Sequence, residues 1–120
     1  MTIGQTMAME LEQESKSAKL VLERIPEDKW QWRPHEKSFS FVQLGSHLAE
    51  TFNWLKHTLD FEEFALDPNE YKPFAAKDKG ELLQTFENNL NEALNGLKAV
   101  SDDDLMKHYR MLVSGKEVFN

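Results

Sequence analysis

Three long stretches of this 120-residue chain repeat apolar residues at the spacing of an amphipathic α-helix, and no other feature constrains the fold as much. Pro26 ends the first of these predicted helices, because proline interrupts a helix. The second predicted helix begins after Ser40, and Gln43 follows three residues later, as in a capping box. The third begins after Asp78, with Glu81 at the matching position.

The apolar stripes of these helices predict which side chains form the core. The first stripe comprises Met7, Leu11, Ala18, Val21, Leu22 and Ile25. The second comprises Phe41, Leu44, Leu48, Phe52, Leu55 and Leu59. The third comprises Leu83, Phe86, Leu90, Ala93 or Leu94, Leu97 and Val100. From these stripes we expect one shared core that contains Val21, Leu48, Phe52, Leu55, Phe86, Leu90 and Leu97.

The segments outside the helices carry turn signals. Residues 61–78 join the second helix to the third and contain the turns Asp67-Pro68-Asn69 and Lys72-Pro73. This connection is long for an antiparallel bundle, so we expect it to cross the bundle or to carry function. Ser114-Gly115 predicts a turn within a short extended tail. The predicted fold is a single all-α domain over residues 1–120, an up-and-down antiparallel helical bundle with three long helices.

Composition and charge narrow the functional class. The chain has no cysteine, which excludes a disulfide framework, a thiolate nucleophile and a cysteine-based zinc site. Its formal net charge of −7 argues against a general nucleic-acid binder, because such proteins neutralise phosphates with a basic surface. The sequence shows neither a membrane-spanning apolar run nor a secretory signal. We therefore expect a cytoplasmic protein that binds neither nucleic acid nor membranes.

His47 lies on the flank of the second predicted helix, roughly 100° from the centre of the stripe near Leu48. A histidine that packs against its neighbours and a histidine that binds a metal are both consistent with this position. His57 follows ten residues later, about 15 Å further along the helix axis. The two imidazoles therefore cannot share one metal ion.

Glu14, Trp30 and Trp32 are further candidates for a ligand pocket. Glu14 occupies the seam of the first predicted helix, where a carboxylate must either turn to solvent or find a partner, because burying it alone costs several kcal/mol. Trp30 and Trp32 precede the second helix. They either close one end of the bundle or form the wall of a pocket mouth, with the indole N–H groups offered to a ligand.

The stretch from Leu22 to Leu55 resembles the DinB-like superfamily, a damage-inducible, YfiT-like group of bacterial four-helix-bundle proteins. In that family a first helix leads to a W-x-x-x-P segment, and a serine-capped second helix carries an apolar-x-x-His-Leu motif. The matching residues here are Pro26, Trp30 or Trp32, Pro34, Ser40, Leu44, His47 and Leu48. The resemblance covers essentially the whole chain, and the combination of these residues makes it specific.

The resemblance implies a divalent metal, nickel or zinc, bound by three histidines, and His47 matches the ligand of the second helix. The other two ligands would come from an H-x-x-x-H pair on a fourth helix, since i,i+4 histidines share one helix face. The sequence contains no such pair and ends at Asn120, about where that helix would begin. Three interpretations are open: the chain stops short of its fourth helix, a partner chain supplies the missing surface, or metal binding has been lost.

Two functional hypotheses follow from the resemblance and from this departure. The leading one is a metal-dependent enzyme, a thiol-dependent S-transferase or an isomerase, that acts on a small-molecule substrate with a low-molecular-weight thiol. There the metal would polarise a bound thiol or water. The rival is a non-catalytic helical interaction module. Because the flank of the second helix would lack a neighbour, we expect a homodimer through Leu44, His47, Thr51 and Trp54.

Overall fold

A computed structural model describes residues 1–119, which contain three long α-helices, a single-turn α-helix, a short 3₁₀ helix at Glu27–Lys29 and a small sheet. The helices are α1 (Ile3–Glu23), α2 (Phe41–Asp60), α3 (Lys79–Ala99) and the single-turn α4 (Asp102–Leu105). The strands are β1 (Glu63–Leu66), β2 (Arg110–Val113) and β3 (Lys116–Phe119). No helix within residues 1–119 is both long enough and apolar enough to cross a lipid bilayer.

Side-chain caps fix where α2 and α3 begin. The hydroxyl of Ser40 accepts a hydrogen bond from the backbone N–H of Gln43, and the side chain of Gln43 accepts one from the N–H of Ser40. This confirms the predicted capping box. Asp78 accepts a hydrogen bond from the backbone N–H of Glu81 at 2.8 Å, which confirms the predicted start of α3.

α2 and α3 run parallel to each other, so the predicted up-and-down antiparallel arrangement is wrong for this pair. Near the start of both helices, Gly45 of α2 lies against the side chain of Leu82 of α3. Near their ends, Gly96 of α3 lies against the side chain of Leu59 of α2. The physical reason is the length of residues 61–78, because extended chain covers about 3.3 Å per residue whereas a helix rises about 1.5 Å. The connection can therefore return along the whole of α2, which agrees with the first of the two alternatives expected for it, a segment that crosses the bundle.

α1 is antiparallel to α3 and is held against it at both ends. The first turn of α1 meets the last turn of α3, where a Cβ added to Gly4 would come within 2.2 Å of the carbonyl oxygen of Leu97. At the opposite end, the ammonium group of Lys79 donates a hydrogen bond to the carbonyl oxygen of Glu23 at 2.8 Å. Glycine is required at position 4 because the two backbones approach so closely.

The connection from α2 to α3, residues 61–78, is fastened just before α3 begins. The backbone N–H of Ala76 donates a hydrogen bond to the hydroxyl of Ser46 at 2.9 Å. The indole N–H of Trp30 donates to the carbonyl oxygen of Ala76 at 3.2 Å. Ala76 and Ser46 are both buried, so these bonds satisfy polar groups that water does not reach.

A three-stranded sheet accompanies the helices, which corrects the predicted all-α class. Its order is β1-β2-β3, with β1 parallel to β2 and β2 antiparallel to β3. β1 follows α2 in the chain, whereas β2 follows α3 and the single-turn α4. The hairpin between β2 and β3 turns at Ser114 and Gly115, both with positive φ, which confirms the predicted turn.

The core lies between the three long helices. Its most deeply buried apolar side chains are Ala8, Leu22, Ala49, Leu82, Phe86, Ala93 and Leu97. Among the predicted core residues, the structure buries Phe86, Leu90 and Leu97. Half-buried against them lie Leu48, Phe52 and Leu55. Val21 is 63% exposed and its assignment to the core is wrong, because Leu22 takes the inward position and one residue turns a helix by about 100°.

Candidate functional site

A cavity of about 440 Å³, which we call the outer cavity, lies between α2 and the sheet. Its α2 side is formed by Glu50, Asn53, Trp54, His57 and Thr58. Its opposite side is formed by Phe64, Leu66, Tyr71, Tyr109 and Met111. A concave space of this size, with mainly apolar walls and a few polar groups, is typical of a small-molecule site.

Helical geometry places three of these side chains on one face of α2. Residues four apart on a helix differ by about 40° in direction, and residues seven apart by about 20°. Glu50, Trp54 and His57 therefore project to the same side, away from the face of α2 that meets α1 and α3. The outer cavity forms where β1 and the start of β2 cover this face.

Glu50 and Tyr71 form the first polar pair of the outer cavity. The hydroxyl of Tyr71 donates a hydrogen bond to Glu50 Oε1 at 3.1 Å. Burial raises the pKa of the Tyr71 phenol, and the hydrogen bond to Glu50 and the charge of Glu50 raise that pKa further. Tyr71 thus remains a proton donor at neutral pH. The second oxygen, Glu50 Oε2, is shielded from solvent and has no hydrogen-bond partner among the described residues.

His57 and Tyr109 form the second polar pair. Nδ1 of His57 and the hydroxyl of Tyr109 lie 3.2 Å apart, and the tautomer of the imidazole decides which atom donates. The rings of Phe61 and Phe64 pack on the imidazole, with centroids at 4.6 and 5.1 Å. These contacts hold the orientation of the imidazole at the edge of the cavity.

His47 lies about one helical turn before Glu50 and is exposed. Its ring meets the ring of Trp54 edge-on, with a centroid distance of 5.5 Å and an interplanar angle of 74°. Trp54 also lines the outer cavity. His47 therefore contacts a side chain that lines the cavity, Trp54, although His47 itself is not among the lining residues.

A comparison with protein families decides the family of this chain. A family profile described as the DinB superfamily matches residues 10–119, nearly the whole sequence. The chain belongs to the DinB superfamily. Comparisons with curated proteins and with solved structures give no match. The resemblance predicted from residues 22–55 is thus confirmed at the level of the superfamily.

The metal that the DinB resemblance implies can be tested against the donor atoms around His47. A nickel or zinc site in a protein needs about three converging nitrogen, oxygen or sulfur ligands. Within residues 1–119, no group of three or more histidine, aspartate or glutamate side chains is placed to hold a metal ion. His47 offers one exposed imidazole, so these residues alone do not fit the ion. Its role as a metal ligand remains a prediction.

The structure places the other candidate residues of this DinB protein in three separate settings. Glu14 is exposed on α1, so its carboxylate turns to solvent. Trp30 is half-buried against the core and uses its indole N–H within the fold, on the carbonyl of Ala76. Trp32 is 49% exposed, its ring lies tilted against that of Phe41 at a centroid distance of 5.3 Å, and it lines a separate, more open pocket of about 440 Å³ near the start of α2. The part of these residues in ligand binding remains a prediction.

The apolar pattern of the sequence does not point to the residues that line the outer cavity. For two of them a signal exists, since Glu50 and His57 are seven residues apart and Trp54 lies between them on the same helix face. Tyr71 and Tyr109 carry no comparable signal. They lie in the connection before α3 and just before β2, and only the fold brings them to one cavity.

Proposed function

We propose that this DinB-superfamily protein is an enzyme that converts a small organic molecule bound in the outer cavity. One observation carries the proposal: two hydrogen-bonded pairs, Glu50–Tyr71 and His57–Tyr109, line the same cavity. Carboxylate, imidazole and phenol are side chains that transfer protons in enzymes. The apolar side chain of Phe64, which lines the cavity beside these pairs, would contact the body of a substrate.

The reaction we propose is an isomerisation or a thiol-dependent S-transfer, the classes that the family resemblance implies. An isomerisation removes a proton from one atom of the substrate and returns it to another. In S-transfer the thiol loses its proton as the carbon–sulfur bond forms, and the leaving group departs with its electron pair. Both reactions need a group that accepts a proton at the substrate, and Glu50 and His57 are the two groups we assign to this role.

An activity assay tests these roles. The protein, supplied with nickel or zinc, is assayed with low-molecular-weight thiols and 1-chloro-2,4-dinitrobenzene as the electrophile. We expect Glu50→Gln and His57→Gln each to lower kcat/KM by on the order of 10²-fold, since each removes a proton acceptor. Glu92→Gln and His35→Gln are matched controls, because both residues are exposed and neither lines the outer cavity. Full activity in both cavity variants would contradict the proposal.

A divalent metal at His47, nickel or zinc, is a separate part of the proposal. It requires ligands that residues 1–119 do not supply, and no step above depends on it. Metal analysis of the purified protein tests it directly. Stoichiometric metal that is lost in His47→Ala and retained in His35→Ala supports the assignment. Protein that is free of metal after growth with both ions contradicts it.

A second candidate function is a helical module that dimerises through α2. The observation in its favour is the exposure of apolar side chains on the flank of α2, where Leu44 is 54% and Trp54 41% exposed. Size-exclusion chromatography with light scattering tests it. We expect Leu44→Glu to convert a dimer to a monomer and Leu20→Glu, at an equally exposed leucine of α1, to leave the dimer intact. A wild-type monomer at micromolar concentration would contradict this candidate.

A further inference from the structure

Glu50 has one carboxylate oxygen without a hydrogen-bond donor. Tyr71 occupies Oε1, whereas Oε2 is shielded from solvent and unpartnered among the described residues. An unsatisfied buried oxygen of this kind is destabilising, and more so when the group is charged. Glu50 itself lines the outer cavity. A donor within the cavity can reach its carboxylate after a rotation of χ3, which is a soft torsion in glutamate.

Three lysine or arginine residues stand next to cavity-lining residues in sequence, but none of them lines the cavity: Lys72, beside Tyr71, is exposed, and the other two pair with carboxylates. Lys56 precedes His57, and its ammonium group binds both carboxylate oxygens of Asp60 at 2.8–2.9 Å. Arg110 follows Tyr109 and binds Glu63. No lysine or arginine is present among the described residues that line the cavity. Among the described residues that line the cavity, none therefore supplies the cationic lysine or arginine side chain that the carboxylate of Glu50 would favour.

The aromatic walls of the cavity are suited to a positive charge. The rings of Trp54, Phe64, Tyr71 and Tyr109 all line it. The face of an aromatic ring carries negative charge density and attracts ammonium groups. A carboxylate ligand would instead meet the charge of Glu50, and a neutral alcohol would gain only an uncharged hydrogen bond.

We propose that the outer cavity binds the ammonium group of a small organic amine, with the nitrogen at Glu50 and the body of the ligand against the aromatic rings. This rests on the proposed small-molecule site and names the class of its ligand. After rotation of χ3 the amine supplies the missing donor to Oε2, and charge assistance makes that hydrogen bond stronger than one to a neutral group.

Three probes with one shared body test the ligand class: 2-phenylethylamine, 2-phenylethanol and 3-phenylpropionate. Each is titrated into the full chain, and binding is followed by tryptophan fluorescence and by NMR of the Trp54 indole N–H. We expect the amine to bind at least about tenfold more tightly than the alcohol, and the carboxylate to bind least tightly.

Variants then assign the preference to the carboxylate. Glu50→Gln keeps the size of the side chain but removes its charge, so the amine and the alcohol should bind about equally. Tyr71→Phe keeps the charge of Glu50, so the preference for the amine should persist. Glu92→Gln removes the same charge from an exposed position of α3 and should leave all three affinities unchanged. Circular dichroism and thermal unfolding establish that each variant is folded.

The outcomes separate this proposal from the proposed function. Equal binding of amine and alcohol to the wild type, or tighter binding of the carboxylate, overturns the amine proposal and leaves the small-molecule site standing. An amine preference that survives in Glu50→Gln also overturns it. If none of the three probes perturbs Trp54 at millimolar concentration, the amine proposal and the small-molecule site are both contradicted.

Discussion

The two faces of α2 differ in burial and, in the first half of the helix, also in the size of their side chains. The inner face, which meets α1 and α3, buries Val42, Gly45, Ser46 and Ala49. The outer face carries polar and aromatic groups, among them His47, Glu50, Trp54 and His57. Small residues on the inner face let the helices approach closely, since a Cβ added to Gly45 would already lie 3.2 Å from the side chains of Ile25 and Leu82.

Hydrophobicity alone therefore misjudges which residues of α2 face the core. Leu44 belongs to the predicted apolar stripe, yet it is 54% exposed. Ser46 is polar, yet it is fully buried. Its hydroxyl accepts a hydrogen bond from the backbone N–H of Ala76, which satisfies both groups without water. Stability should therefore depend on the inner face and its neighbours, whereas ligand binding should depend on the outer face.

The largest expected effect concerns Phe86, which α3 packs against the inner side of α2. Phe86 is fully buried and meets Phe52 edge-on at 5.3 Å. We expect Phe86→Ala to lower the free energy of unfolding by about 3–5 kcal/mol, because it leaves a cavity in the core. Leu44→Ala, on the exposed flank, should change that free energy by less than about 0.5 kcal/mol. Urea denaturation measures the free energy of unfolding of both variants. Similar losses of stability in the two would contradict the expected difference between the faces.

An intermediate effect is expected at Ser46. Ser46→Ala removes the acceptor of the buried Ala76 N–H, so we expect a loss of about 1–3 kcal/mol in the free energy of unfolding. Thr58→Ala is the comparison on the outer face, where the hydroxyl donates only to a backbone carbonyl of its own helix. It should change the free energy by less than about 0.5 kcal/mol. A larger loss at Thr58 than at Ser46 would reverse the comparison.

The smallest expected effect appears only at alkaline pH and comes from Tyr71. Its pKa is raised in the folded state by burial and by Glu50, whereas in the unfolded chain it lies near about 10. The resulting stabilisation is fully present below that pH and is lost as pH rises through the folded-state pKa. The unfolding free energy of the wild type should fall more steeply above about pH 10 than that of Tyr71→Phe. Parallel curves for the two proteins would exclude this linkage.

Local signals predicted the helices well, and non-local contacts explain most of what they missed. The caps at Ser40 and Asp78 and the turn at Ser114 follow from a few neighbouring residues, and the structure confirms all three. The pairing of β1 with β2 joins Glu63 to Arg110, far apart in sequence. Each strand has four residues, too short for an alternating pattern to stand out from the surrounding sequence.

The family could be predicted from one continuous stretch of sequence, whereas the outer cavity could not, because its residues come from distant parts of the chain. The motif around His47 predicted the DinB superfamily, because it lies within one continuous stretch. The outer cavity depends on Tyr71 and Tyr109, whose positions follow from the parallel course of α2 and α3. A prediction of antiparallel helices directs residues 61–78 along a different path, so it could not bring Tyr71 to Glu50.

The two hydrogen bonds at Ala76 also bear on the order of folding. The backbone of Ala76 is tied to Ser46 on α2 and to Trp30 before α2, so both partners must be in place before the connection to α3 can close. Closure of such a distant contact comes late, because the chain first loses the entropy of the intervening loop. The amide proton of Ala76 should then exchange with deuterium only when the fold opens globally. A single proton, observed by NMR, would thus report the free energy at which the whole domain opens.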